Sequence, residues 1–338
     1  MRVWLGAMIV LLGMTRLPAG EIQVQRDAGT DWPIYSLSHG KTVAQLAPDA
    51  GCNLFSIKVD GVEFLRVPDD MRRLRGVGYG TPILYPTPNR VRGGKFVFRN
   101  REFNFPKNNS GNFIHGLVHS VPWRVTDYGT DDRSAWIEAE LNFNADMPGY
   151  QDFPLPHRLR LRILVTDRAV EWTYFVDNTH GKEAIPFGFA LHPYFLYQGK
   201  RAETFLKVPA SHWMEAEKLL PTGRLIPLAE TEFDLRKPTS LAQLRLDDVF
   251  FGVTPEQPVW VDFCDVGRRL TLKSGPSFKH AVIYTPAQPF FCVENQTCST
   301  DAHNLDNAGH QRAAQLQVCE PGKMLSDAVR YEFSLRTP

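Results

Sequence analysis

Apolar and polar positions alternate with a period of two through much of this chain. Leu159-Arg160-Leu161-Arg162-Ile163-Leu164-Val165 begins by alternating apolar with basic residues, as a half-exposed strand does. Asp167-Arg168 then turns the chain into Ala169–Val176, a second β-rich run. Trp136–Phe143 reads as a further strand, and Phe96–Phe98 with Glu102–Phe105 reads as a short hairpin around Asn100. The 25 prolines and 25 glycines are scattered throughout, which suits many short strands joined by turns. No long amphipathic helix is apparent; at most a turn or two is expected, at Glu203–Leu206 or Ser240–Leu246. The Pro/Gly-rich stretch Ala145–Pro156 reads as an inter-strand loop, and no repeat or low-complexity linker divides the chain. The pattern predicts an all-β protein built as one large antiparallel sandwich, with a concave face for a ligand.

Composition narrows this picture. With 338 residues, 43% hydrophobic and 22% charged, the chain has ample material for a large core. A net charge of +1 and the lack of a basic block argue against a nucleic-acid partner. Residues 1–20 stand apart: Arg2 supplies a positive start, Val3–Met14 is an apolar run, and Leu17-Pro18-Ala19-Gly20 offers small residues for cleavage. The run is short of the about 20 residues a membrane span needs. The expectation is a signal peptide followed by one domain over 21–338, exported to the periplasm or secreted, with no membrane anchor after cleavage. Of the five cysteines, Cys292 and Cys298 are close enough in sequence to close a loop. The odd count leaves at least one thiol unpaired in a monomer.

The candidate chemistry centres on Ile185-Pro186-Phe187-Gly188-Phe189-Ala190-Leu191-His192-Pro193-Tyr194-Phe195, which sets a histidine in an apolar, aromatic run. A buried imidazole left without a partner costs roughly 1–3 kcal/mol, so His192 needs either a hydrogen bond or a function. Two other segments carry matching chemistry. Asn112-Phe113-Ile114-His115-Gly116 puts a histidine at the edge of a polar turn, where the alternative is a solvent-facing loop residue. Phe290-Phe291-Cys292-Val293 reads as a buried strand followed directly by Glu294, whose pKa burial would raise. Asn89-Arg90 offers a guanidinium suited to sugar hydroxyls or carboxylates, the alternative being a salt bridge. Asp247-Asp248 precedes an apolar strand, and because adjacent strand residues face opposite ways only one of them faces a site. Asn295-Gln296-Thr297 has the form of a glycosylation sequon, but a glycan beside a cleft glutamate would block it. No metal-ligand spacing, Walker loop or nucleophile elbow is present, so neither a metal nor a cofactor is expected.

Taken in order, these segments resemble the aldose 1-epimerase (galactose mutarotase) family, from about Val43 to Leu335. The matching stretches are Asn89-Arg90-Val91 with Gly94-Lys95-Phe96, Phe113-Ile114-His115-Gly116, and Asp177-Asn178-Thr179 with Pro186-Phe187-Gly188. His192-Pro193-Tyr194-Phe195, Asp247-x-x-Phe250, and Glu294 with Asp301-Ala302-x-Asn304 complete the set. Leu117 departs from the residues that usually follow the His-Gly pair, which leaves the particular sugar open. The resemblance implies a β-supersandwich and a cofactor-free isomerase acting on a small-molecule sugar, a hexose. It implies that Glu294 takes the proton of the anomeric hydroxyl, that His192 protonates the ring oxygen, and that His115 hydrogen-bonds the same region. Asp247, Arg90 and Asn89 would hold the other hydroxyls. The open aldehyde would rotate about C1–C2 and reclose on its other face. An acid of this kind is expected to titrate around pH 6–8. The competing readings are a non-catalytic carbohydrate-binding protein and a polysaccharide-processing hydrolase or lyase, the latter normally wanting two carboxylates about 5–10 Å apart.

Overall fold

Residues 20–336 are described by a computed structural model; the expected signal peptide lies almost wholly outside that range. The chain is almost entirely antiparallel β. Its largest sheet has nine strands, in the order Thr239–Ser240, Thr204–Lys207, Val259–Phe263, Arg268–Ser274, Met324–Leu335, Ala169–Asp177, His157–Thr166, Ala135–Phe143 and Arg124–Thr130. The alternation seen in the sequence is obeyed here: along His157–Thr166 every odd-numbered residue is buried and every even-numbered one is not. Leu159, Leu161 and Ile163 join Trp172, Tyr174 and Tyr331 in the core. On the outer face Glu138 meets Arg162 at 3.8 Å, Arg158 meets Glu140 at 3.6 Å, and the Arg160 guanidinium lies 5.1 Å over Phe175.

The facing eight-stranded sheet is built from shorter pieces. Leu220–Pro227, His212–Glu217, Asp247–Phe251, His280–Tyr284, Phe290–Gln296, Ala190–Leu191 and Ile83–Leu84 follow one another, with Phe195–Leu196 also pairing with Phe290–Gln296. Phe250, Ile283, Phe291 and Val293 point into the core shared with the large sheet. Hiding these rings and branched chains from water drives the association of the two sheets, at ~25 cal/mol for each Å² of apolar surface buried. A five-stranded meander covers one side, Glu21–Arg26, Pro33–His39, Thr42–Ala47, Asn53–Val59 and Val62–Glu63.

Two expectations need correction. Glu203–Leu206 is a 3-10 turn ending at Glu203 and then a strand, Thr204–Lys207, because Phe205 and Leu206 pair with Asp262 and Val261 of the large sheet. Helices do form, at Ala302–Asn307 and Gln311–Ala314, where Leu305, Ala313 and Ala314 pack against Met214 and Cys298. The cysteines follow the sequence reading of mostly buried thiols: all five are free, and all but Cys264 are buried. Ser240–Leu246 contains the single turn Leu241–Gln243, and Lys95–Phe98 with Arg101–Asn104 forms the anticipated hairpin.

Candidate active site

Strand register gathers the chemistry on one face of the eight-stranded sheet. Asp247 pairs with Tyr284, and Tyr284 with Cys292; one rung on, Val249 pairs with Val282, and Val282 with Glu294. Alternate residues share a face, so Asp247, Tyr284, Cys292, Glu294 and Gln296 look the same way, opposite to the core-facing Phe291 and Val293. Glu294 lies inside the strand Phe290–Gln296 rather than after it, and all seven residues of that strand are buried. Asn295, the sequon asparagine, is 2% exposed and faces away from the site. Asp248 turns from Asp247 and accepts from the indole N–H of Trp213 at 2.9 Å.

His192 reaches this face from the loop after Ala190–Leu191, held by its backbone N–H donating to Pro82 O at 3.0 Å. Its Nε2 stands 3.3 Å from Glu294 Oε1 and 3.4 Å from the Tyr194 hydroxyl. The Tyr194 ring lies parallel to the imidazole, 4.7 Å away and tilted by only 4°. The other carboxylate oxygen, Oε2, accepts from Gln296 Nε2 at 2.9 Å. His192 Nδ1 and Gln296 Oε1 are buried without a hydrogen-bond partner. The imidazole of His115 stands edge-on to that of His192, centroids 5.4 Å apart. His115 has φ +74° and Gly116 φ +66°. A Cβ on Gly116 would come within 2.3 Å of Tyr85 O, so glycine alone permits the approach that lets His115 face the sheet. His119 is a neighbour: its Nδ1 donates to His115 O at 3.2 Å.

Arg90 completes the cluster. Its Nη2 is 3.5 Å from Asp247 Oδ2, and its Nε donates to Asn109 Oδ1 at 3.1 Å. Asn89 Oδ1 accepts the Arg90 backbone N–H at 2.7 Å, so this residue steers the arginine's turn. Asp301 clamps the same turn: its carboxylate accepts the Arg92 backbone N–H at 2.9 Å, and its own N–H donates to Arg90 O at 2.8 Å. A narrow cleft beside these residues is lined by Asn89, Arg90, Asp247, Val249 and Val282. Asp177-Asn178-Thr179 lies elsewhere and is structural. Asp177 bonds Thr179 and Arg158, and the Asn178 amide donates to Glu183 O and Cys319 O.

Burial sets the protonation states. It pushes Glu294 up to about 8, against the hydrogen bond from Gln296 and the charge of Arg90, which favour the carboxylate. It pushes His192 down to about 3, below the range expected from the sequence, because a charged imidazole in this apolar pocket loses its hydration. Burial also holds His115 well below its ordinary value, helped by His192, His119 and Arg90. Across neutral pH the His192–Glu294 pair therefore carries one proton between two acceptors 3.3 Å apart. Such a pair gives a proton at one end and takes one at the other.

Sequence reasoning missed two neighbours of the pair. Gln296, which bonds Glu294, sits two residues along the same strand. Tyr194, which stacks on His192, lies inside a quoted motif with no role attached. Among the described residues no group of three or more His, Cys, Asp or Glu side chains is arranged to hold a metal ion.

Comparison with known proteins adds five findings. The aldose 1-epimerase family profile matches residues 33–332. The uncharacterised protein YphB of Escherichia coli (strain K12) is 24% identical over 325 residues, covering 90% of this chain and 98% of that protein. The galactose mutarotase of Sus scrofa is 26% identical over 172 residues, 46% of this chain and 44% of that enzyme. Among solved structures, a galactose mutarotase-like protein from Clostridium acetobutylicum superposes with a TM-score of 0.84 at 19% identity, covering 94% of this chain and 99% of that one. The galactose 1-epimerase of Lactobacillus acidophilus NCFM superposes at 0.76 with 17% identity, covering 94% and 99%.

Proposed function

This chain belongs to the aldose 1-epimerase family, and we propose that it is itself an aldose 1-epimerase interconverting the α and β anomers of a free sugar. The observation that carries this reading is the His192–Glu294 pair, buried and 3.3 Å apart, in surroundings that raise the carboxyl and lower the imidazole. Opening a hemiacetal ring needs one proton removed from O1 and one delivered to the ring oxygen. In the proposed sequence the anomeric hydroxyl enters hydrogen bonding with Glu294, which favours the carboxylate and passes the shared proton to His192. Glu294 then takes the O1 proton as the C1–ring-oxygen bond breaks, and His192 protonates the leaving ring oxygen. The aldehyde turns about C1–C2, and the steps run backwards on its other face. His115 adds a hydrogen bond in the same region, while Asp247 and Arg90 hold the remaining hydroxyls.

A binding protein has no use for a buried acid–base pair that costs free energy to desolvate, which favours catalysis over mere recognition. For a glycoside hydrolase the second carboxylate would be Asp247, and that group is engaged by Arg90 at 3.5 Å. The test is anomer exchange in freshly dissolved glucose and galactose, followed by polarimetry or NMR with purified protein. Acceleration in proportion to enzyme supports the reading, and a rate equal to that of buffer for every free aldose tried rejects it. We further propose export from the character of the first 20 residues; an exported enzyme does not meet cytosolic sugar phosphates, so free hexoses should outperform their 6-phosphates.

A further inference from the structure

We propose that Arg66 forms an anion-binding subsite at the end of the sugar site, which selects an aldose bearing a carboxylate on the carbon farthest from C1, a hexuronate. This rests on the epimerase reading and names its substrate class. Arg66 follows the strand Val62–Glu63, and its backbone N–H donates to Tyr194 O at 2.8 Å, two residues beyond His192. Its guanidinium lies 4.2 Å over the Tyr79 ring and 4.9 Å over the Phe290 ring. Nη1 donates to Gly78 O at 3.0 Å and Nη2 to the Tyr79 hydroxyl at 3.3 Å. The guanidinium is therefore held by two rings and two hydrogen bonds, with its remaining N–H groups uncommitted. Its neighbours are neutralised: Arg73 meets Asp69 at 2.8 Å and Arg72 meets Asp70 at 2.8 Å. Among the described residues no carboxylate lies within 4 Å of Arg66. A fixed, partly buried cation with no counter-ion, beside a ligand site, is a specificity element for an anion.

The register says where that anion would sit. Phe290, Cys292 and Glu294 share one face of their strand, and Asp247 shares the rung of Cys292. With C1 at Glu294 and hydroxyls at Asp247, a pyranose ring runs from the Glu294 rung towards Phe290, over which Arg66 lies. Glu294 and Phe290 are four residues apart, about 13 Å along the strand. That length holds a pyranose ring plus the reach of a glutamate at one end and an arginine at the other. The Phe290 ring is 5.2 Å from that of Tyr194, which stacks on His192, so one wall runs unbroken from the acid–base pair to the cation. One un-neutralised guanidinium matches a planar monoanion by a two-pronged hydrogen bond, whereas a phosphate dianion calls for several converging cations.

The experiment measures anomer exchange by NMR for galacturonate and glucuronate against galactose and glucose, at fixed ionic strength, for wild type, Arg66→Gln and Arg66→Lys. Wild type should show at least a tenfold higher kcat/KM for a uronate than for its neutral parent. Arg66→Gln should cut that ratio at least tenfold, mainly through KM, with Arg66→Lys in between. Exchange of neutral sugars with no uronate advantage, or a ratio that survives Arg66→Gln, overturns the subsite and leaves the epimerase reading standing. Equal loss on both substrates with a lower melting temperature makes Arg66 a structural residue and also overturns it. Calorimetric titration with galacturonate separates the two proposals. Uronate binding that Arg66→Gln abolishes, without exchange of any sugar, upholds the subsite and rejects the epimerase; neither exchange nor binding rejects both.

Discussion

His157, at the start of a strand of the large sheet, and His192, in a loop beside the facing sheet, are both buried in aromatic surroundings, and their hydrogen bonding separates a core residue from a working one. His157 opens a strand of the large sheet and stacks on Phe143 at 4.3 Å. Its Nδ1 donates to Leu155 O at 2.7 Å and its Nε2 accepts from the Tyr85 hydroxyl at 2.7 Å, so both nitrogens are satisfied by short bonds. His192 has one nitrogen without a partner and the other at 3.3–3.4 Å from a carboxylate and a hydroxyl. Burial depresses both imidazoles, to about 4 and about 3, so lowered basicity alone does not distinguish them. Nor does volume: a cavity of about 670 Å³ opens beside His157, where Arg158 is paired with Asp177 at 2.6 Å, and no carboxylate there stands against the imidazole. Unfinished hydrogen bonding next to a carboxylate is what marks a site.

The largest effect should come from Glu294. Glu294→Gln keeps shape and hydrogen bonding while removing the ability to accept a proton. Anomer exchange should fall at least 100-fold, on the order of a general-base contribution, with folding intact by circular dichroism. Near-normal turnover in this variant would take the glutamate out of the mechanism and leave the comparison between the two histidines without its chemical basis.

Exchanging the two histidines in turn tests the comparison directly. His192→Asn should lose most anomer exchange, by a decade or more, while sugar affinity persists through Asp247 and Arg90 and the melting temperature hardly moves. His157→Asn should do the reverse, losing two satisfied bonds worth about 1 kcal/mol each and melting a few degrees lower, with exchange retained below the transition. If both variants lose stability and turnover together, the distinction drawn here collapses.

The two regions also differ in how much of them could be read in advance. Long strands such as His157–Thr166 announce themselves because one face meets the core and the other meets water, so polarity alternates. Phe290–Gln296 is buried on both faces, its pattern does not alternate, and its end after Val293 was misplaced. The short helices at Ala302–Asn307 and Gln311–Ala314 carry too few turns to print a helical period. Arg90, His115, His192, Asp247 and Glu294 were all found as members of motifs. Their pairing, Arg90 with Asp247 and His192 with Glu294, was not, because each pair joins residues more than a hundred positions apart. Arg66 is brought to Phe290 by the fold alone.

A smaller effect is expected at the rim. Asp247→Asn keeps a hydrogen-bonding group but releases Arg90 from its 3.5 Å partner. KM for a sugar should rise several-fold with kcat changed less, since in the proposed binding mode the residue grips hydroxyls remote from the reacting bond. A fall in kcat alone would move Asp247 from binding into the acid–base chemistry.

The smallest effect concerns stability and pH, and its sign follows from Glu294. In the folded protein this carboxyl keeps its proton up to about 8, whereas in the unfolded chain it ionises at its ordinary 4.5. Between those values the folded state holds more protons, so the group's contribution to stability falls as pH rises through the window and is fully lost above about 8. Glu294→Gln has no such proton to lose. Its melting temperature relative to wild type should therefore climb between pH 5 and pH 8, by about a few degrees, and level off beyond. His192 works in the opposite sense: its folded value of about 3 lies below the unfolded 6.5, so it destabilises the fold as pH drops below about 6.5. That acid-side slope does not run the same in wild type and Glu294→Gln, because the variant removes the partner 3.3 Å from the imidazole, so the comparison is cleanest above pH 6.5. A melting difference that stays flat from pH 6.5 to 8 would show that Glu294 is ionised throughout, and the one-proton pair on which the proposed chemistry depends would then be wrong.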